Sequence, residues 1–419
     1  MLLQDIYNAN KHSILYEDSS YIKQIKKKLI QDFILDPKII KNNESIKFFD
    51  KKIFQDLSYN FNQKRSAILI DKSLDNKFSS FFIKNGYLEK IENNDENKFQ
   101  VNSLDKEIKL FEEQFINYQD SFKKDYLVDL NSVLLNNCYS YDFKKNTFHK
   151  IFIHHKTDNL DNTNYSRNFI NIEENSKIVI IEEFFNNVKS NENIVNFFEI
   201  KKNSELIHLI IQNNSQDSNL QFTTYANCYE NSNYQQIIFN TSASSSRNHH
   251  YANLLEKNSV ADLKGIFFGS KDQIIDNKTQ VNHFAESCKS NQKYKGLLRD
   301  SSKASYLSKT HVDKIAQKTE AYQLSKGIIL SENAYFHSKP ELKIFADDVK
   351  CSHGSTIGSF DKSILFYMKS RGIPENLAIS LLIKSFYSDI LIDQKDTTYL
   401  SLVYKSVQEW LELNKYTDV

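Results

Sequence analysis

The chain has 419 residues, with 54 lysines and arginines against 53 aspartates and glutamates and a formal net charge of +1, so its overall charge exerts no pull toward nucleic acid or an anionic membrane. No stretch approaches the roughly 18 apolar residues that a membrane span needs. Four dispersed cysteines (Cys138, Cys228, Cys288 and Cys351), with no C-x-x-C pair, argue against a disulfide framework or a closed zinc site and for a reducing, cytoplasmic setting.

Residues 1–137 read as a helical and mixed region. The first twenty residues carry Asp5, Glu17 and Asp18 and lack a basic segment followed by an apolar run, unlike a targeting peptide. Ile22, Ile25, Leu29 and Phe33 recur at helical spacing, with Lys26–Lys28 between them as a solvated face, and Asp36-Pro37 ends that helix. SAILI (66–70) and SSFFIKNGYLEKI (79–91) read as short strands, the second folded at an Asn85-Gly86 hairpin turn. LFEEQFINY and YLVDLNSVLL return to a helical period.

Residues 138–360 carry short apolar or alternating runs between Asn-, Ser- and Asp-rich turns: FHKIFIHH, KIVIIEEFF, NIVNFFEI, ELIHLIIQ, LQFTTYANCY, YQQIIFN, ADLKGIFFG, THVDKIAQ, KGIILS and LKIFADDVKCS. Such a series without crossover helices predicts an all-β domain, and periodicity alone leaves sandwich, barrel and β-solenoid open. The chain has only 8 glycines and 3 prolines, where average usage gives roughly 29 and 21. Seven of those glycines follow residue 264, which concentrates the special demands on the backbone in the last third.

Residues 361–419 are helical again. Asp361 is suited to cap KSILFYMKSR, Gly372 to end it, and Pro374 to the first position of the next helix. In that helix Leu377, Ala378, Leu381, Leu382, Phe386 and Ile390 form one apolar stripe. A last segment places Leu402, Val403, Val407, Trp410 and Leu411 together. Such stripes pack on their own domain or offer a face to a partner.

The densest chemistry lies in DDVKCSHG (347–354). As a strand, it puts Asp347, Val349, Cys351 and His353 on one face and Asp348, Lys350 and Ser352 on the other. A thiol and an imidazole on one face can reach one metal ion or sulfur atom, but two ligands do not close a site. Spacing alone equally describes a packed cysteine beside a hydrogen-bonded histidine. His283 and Cys288 fall on opposite faces of a regular strand, and His249-His250, His154-His155 and His311 read as surface or satisfied histidines. Neither a Walker loop nor a dinucleotide-binding glycine motif nor a G-x-S-x-G elbow is present, so the chain is not expected to hydrolyse nucleotide.

The segment 276–391 resembles the SufB/SufD family of iron–sulfur cluster assembly proteins. The resemblance rests on Asp276, Thr279, Val281 and His283, then Cys288, Ser290, Gln292, Tyr294, Lys295 and Gly296. HVDKIAQKTEAYQ (311–323), GIILSENA (327–334), KPELKIFADDVKCSHGSTIGSFD (339–361) and LFYMKSRGIPENLAISLLIKSF (365–386) continue it. Cys351-Ser352-His353-Gly354 looks like the SufD branch; the SufB branch has C-E-H-E there. Asn43–Phe48 and Leu130-Asn131 are weaker matches, with Ile46 where the family often has tryptophan and Ser308 where it often has glycine.

The resemblance implies a mainly β fold, a right-handed parallel β-helix between a helical N-terminal region and a C-terminal helical domain. It implies a non-enzymatic subunit of a SufBCD complex, pairing with SufB through the β-helix and docking the SufC ATPase through Leu365, Leu381 and Phe386, in support of cluster assembly and iron entry. Cys351 and His353 would lie near the SufB interface, with His353 a transient metal ligand and no cofactor tightly bound. A homodimer in place of the heterodimer stays open. The readings set against it are a SufB-like scaffold that holds the nascent cluster alone, and a β-helix polysaccharide-active enzyme.

Overall fold

A computed structural model describes residues 3–15, 20–32, 60–61, 68–71, 78–104, 109, 112 and 125–416, apart from 160, 187, 215–216 and 242. The match to Asn43–Phe48, the Asp36-Pro37 stop and most of LFEEQFINY lie outside the described residues. From Asn137 to Gly358 the chain winds as a two-sheet β-solenoid. Successive strands alternate between the sheets, so each strand pairs in parallel with the next but one in sequence. One sheet runs from Asn137–Phe143 to Tyr335–Ile344, the other from Phe148–Lys156 to Val349–Gly358. A solenoid is the open alternative that parallel pairing selects, because sandwiches are built from antiparallel hairpins.

The turns repeat. Asn175, Asn203, Asn231 and Asn258 all adopt a left-handed conformation, which asparagine tolerates better than most residues. Their amides form a ladder, each donating to the preceding one at 3.1, 2.9 and 3.1 Å across 28, 28 and 27 residues.

The two ends of the solenoid differ. At the first, the hairpin Ser79–Lys84/Tyr87–Glu92 extends one sheet and Phe99–Ser103, antiparallel to Asn137–Phe143, extends the other. Asn85 and Gly86 have φ of 49° and 88°, the type I′ hairpin turn expected there. At the second end both sheets stop: among the described residues, Tyr335–Ile344 and Val349–Gly358 each have one neighbour only.

The outer faces of the two sheets are covered from opposite termini. Helices Leu3–Asn10, Ser20–Asp32 and Tyr126–Leu134 pack Ile6, Leu29, Leu130 and Val133 toward Tyr165, and Ile22 and Leu135 toward Phe169, Val195 and Phe197. Lys26 does not belong to a solvated face: it is buried, and its Nζ donates to Leu15 O at 2.7 Å. Its aliphatic stem follows the apolar stripe while a carbonyl takes the ammonium. On the other sheet, helices Glu375–Leu391 and Thr397–Leu413 bury Ile383, Tyr387, Ile390, Val403 and Trp410 against Ile211, Phe239, Ile266 and Phe268. No described helix is long and apolar enough to cross a membrane.

Candidate functional site

Among the described residues, the strand Val349–Gly358 pairs on one side only, with Thr319–Ile329, so that Cys351 stands beside Ala321 and His353 beside Gln323. Paired residues of a parallel ladder share a face. Ala321 and Gln323 are buried, and Gln323 Nε2 donates across the interior to Thr310 Oγ1 at 2.8 Å. Cys351 and His353 therefore lie on the inward column of the last turn, and Lys350 and Ser352 on the outward one. Asp347 does not join that column. It sits with Asp348 in a bend before the strand, where Lys318 N donates to Asp348 O at 2.6 Å and Asp348 N donates to Gln317 Oε1 at 2.9 Å. The turn-to-turn bonds delay the strand until Val349.

His353 continues a column that runs His208, Gln236, Leu263, Gln292, Gln323, His353 through the interior. Deeper members are buried, and Gln292 and Gln323 both donate to Thr310 Oγ1, at 2.9 and 2.8 Å. His353 itself is exposed, and its imidazole has no hydrogen-bond partner among the described residues. Cys351 is half-buried and packs with Val349 against Val312, Ala316 and Ala346. Burial pushes its thiol above the ordinary value, so it is mainly protonated at neutral pH and less ready to ligate than the imidazole. Among the described residues, no group of three or more His, Cys, Asp or Glu side chains is placed to hold a metal ion.

The end surface around these residues is apolar at its rim. Tyr335 and Phe345 are 55 % and 61 % exposed, and Ile315, Tyr322 and Ile357 are exposed with them. The C-terminal helices leave this end uncovered, because they turn back onto the outer face of the middle strands.

The other histidines are engaged elsewhere. His154 points outward, 3.4 Å from Glu183, stacked on Phe82 and tilted against Phe152; His155 points inward, to Glu182 at 2.8 Å. His249 faces Asp276 at 3.1 Å, and His250 faces Thr224 at 2.8 Å. His311 lies between Phe284 and Phe345. His283 bonds Ser290 at 2.8 Å while Cys288 faces Ser259 at 3.3 Å, so those two do not form one ligand pair.

In the C-terminal domain, Asp361 caps Lys362–Ser370 by accepting from Ser363 N at 2.8 Å, and Gly372 has φ of 81°. Pro374 is the residue before the next helix rather than its first. The stripe expected along Glu375–Leu391 divides. Ala378 and Ile390 are buried, Leu377 and Leu381 are exposed, and Phe386 is half-buried under Lys295, whose Nζ sits 4.9 Å from its ring centre. Leu365 is half-buried, whereas its neighbours Ile364, Phe366 and Tyr367 are exposed. Two contacts escaped the sequence reading: Lys295 reaches Asp389 at 2.6 Å and Phe386 O at 2.6 Å. The sequence gives no signal for them: KSNQKYKGLL (289–298) carries three lysines, and nothing in the pattern singles out the buried one.

Residues 152–386 match the family described as "SUF system FeS cluster assembly, SufBD core domain". A SufBD family iron–sulfur cluster assembly protein of Synechocystis sp. is 30 % identical over 229 residues, 52 % of this chain and 51 % of that protein. The iron–sulfur cluster assembly protein SufD of Escherichia coli is 31 % identical over 134 residues, 32 % of each chain. SufD of Plasmodium falciparum is 28 % identical over 248 residues, 58 % of this chain and 17 % of that protein. The chain thus spans about half the length, or less, of the curated relatives it matches.

Proposed function

Because this chain belongs to the SufBD core family of SUF-system iron–sulfur cluster assembly proteins, we propose that it serves as the non-enzymatic, SufD-type subunit of an assembly complex. It pairs with a SufB-type β-helix, docks a SufC-type ATPase, and supports cluster assembly and iron entry. The observation that supports this reading is the end of the solenoid that the described residues leave uncovered, with His353 on its last inward column. An unpaired strand edge is a template for another chain. Tyr335–Ile344 contains Pro340, which has no N–H to offer. Val349–Gly358 contains no proline and presents the full row of donors and acceptors, so the partner adds there.

Iron or the nascent cluster is cargo in this reading. Neutral imidazole is a competent iron ligand, and one exposed imidazole leaves the remaining positions to groups of the partner. Cys351 must first lose a proton that burial holds on. The SufB-like reading, in which the chain holds the cluster alone, needs a larger ligand set than His353 and Cys351.

Reconstitution of the complex tests the site. His353→Ala should lower bound iron and acid-labile sulfide several-fold without dissociating the partner. Cys351→Ser should do less, and Ser352→Ala, on the outward face, should be silent. Equal iron and sulfide in the His353→Ala and unmodified complexes would remove His353 from the mechanism.

A further inference from the structure

Glu182, on the strand Lys177–Phe184, lies buried between the two sheets. His155 Nε2 is 2.8 Å from its Oε1; His208 Nε2 and Asn196 Nδ2 are 2.9 and 3.5 Å from its Oε2. Burial favours the neutral acid, but the hydrogen bonds from the two imidazoles outweigh it and hold the carboxyl at about 2. An ionised carboxylate only accepts, so each imidazole presents Nε2–H to it, and in the neutral ring Nδ1 is then a bare acceptor. Asn168 Nδ2 donates to Asn196 Oδ1 at 2.8 Å, which leaves Asn168 Oδ1 as a second acceptor.

Three atoms have no protein partner among the described residues: His208 Nδ1, Asn168 Oδ1 and the Tyr141 hydroxyl. Tyr141, Asn168 and His208 line one cavity of about 10 Å³, with Glu182 and Asn196; apolar side chains, among them Ile153 and Phe198, form much of the remaining wall. Leaving three such groups unpaired in apolar surroundings costs about 1–3 kcal/mol each. The three need a molecule that donates twice and accepts once. The volume is at the lower limit, ~10–15 Å³, for holding one water and has no room for more.

We propose that this cavity is a binding site for a single ordered water, which donates to His208 Nδ1 and Asn168 Oδ1 and accepts from the Tyr141 hydroxyl. The water closes a ring that runs Glu182, His208, water, Asn168, Asn196 and back to Glu182. The ring joins both sheets in the early turns of the solenoid and fixes the tautomer of His208. Ammonium matches the two acceptors but has no lone pair for the tyrosine hydroxyl.

The sign of one substitution tests this. Tyr141→Phe keeps the ring and removes the hydroxyl. If the hydroxyl has no partner, its removal is neutral or stabilising; if it holds a water, removal breaks a hydrogen bond. The expected result for the full chain is a melting midpoint lowered by about 1–3 °C; an unchanged or raised midpoint overturns the site. A high-resolution crystal structure of the unsubstituted chain, grown without ammonium, should show one spherical density peak within hydrogen-bonding distance of all three atoms. An empty cavity, or a rearranged His208 bonded to protein, would overturn it independently.

Discussion

Asp389 of the helix Glu375–Leu391 accepts from two lysines of the solenoid strand Lys289–Leu298: Lys295 Nζ at 2.6 Å and Lys293 Nζ at 2.9 Å. Lys295 is nearly buried, and burial lowers its ammonium below the ordinary lysine value. The carboxylate and the carbonyl of Phe386 keep it charged. Asp389→Asn should therefore cost about 1–2 kcal/mol, since it leaves a buried ammonium with neutral acceptors while the exposed side of the pair is screened. Adding Lys295→Met should restore part of the loss. Urea midpoints of the single and double variants decide it, and a silent Asp389→Asn would make the pair ornamental.

Three late glycines lie under aromatic rings in the solenoid interior. A Cβ on Gly296 would meet the Phe267 ring at 2.3 Å, whereas one on Gly358 would meet nothing within 4 Å. Phe267 and Gly296 are register neighbours on paired strands, and the buried ring covers the glycine. Gly296→Ala should destabilise by about 1–3 kcal/mol through overpacking, and Gly358→Ala should be neutral. Comparable thermal midpoints for the two would refute the packing argument.

That placement accounts for three of the seven glycines that crowd the last third, a pattern visible in the sequence without its reason. The apolar strands were legible too, because their outer faces meet helices and their inner faces meet the core. Ser245–Leu254 was not: SSRNHHYANL is buried along its whole length. There Arg247 pairs with Asp125, which also caps the helix Tyr126–Leu134 by accepting from Leu127 N at 3.0 Å, while His250 faces inward to Thr224. A strand buried on both faces among polar partners carries no period-2 signal. The turn asparagines 27 or 28 residues apart were the available sign of a solenoid, hidden among the many other asparagines. At the site, alternation placed Cys351 and His353 on one face, but it could not reveal that their strand is the last.

Acid should unfold the chain in two stages. Burial holds His149 and His283 at about 4, below the ordinary value of about 6.5. Between those values the unfolded chain binds protons that the folded chain refuses, so stability falls as pH drops from ~6.5 to ~4, by at most ~3 kcal/mol per histidine. Glu182, held at about 2, adds a loss as pH falls from ~4.5 toward 2. His283→Gln, which can still bond Ser290, should flatten the first stage by up to one proton. Urea midpoints at pH 7.5, 5.5 and 4 check this; a midpoint constant from pH 7.5 to 4 would contradict it.

The proposed ATPase-docking face is best tested away from Phe386. That ring packs beneath Lys295 beside the Asp389 contact, so a charge there would disturb the junction with the solenoid as well as any docking surface. Phe366 and Leu381, 74 % and 43 % exposed, can be changed with little loss of burial. Phe366→Glu with Leu381→Glu should leave the melting midpoint within about 2 °C, because surface changes remain within about 0.5 kcal/mol. The same pair should weaken capture of a SufC-type ATPase at least ~10-fold, since charges at the centre of an apolar interface are left desolvated and unpaired. ATP hydrolysis should then be detectable only when the ATPase is added, and it should stay uncoupled from the double variant. Undiminished capture by the folded double variant would move the docking face elsewhere on the chain.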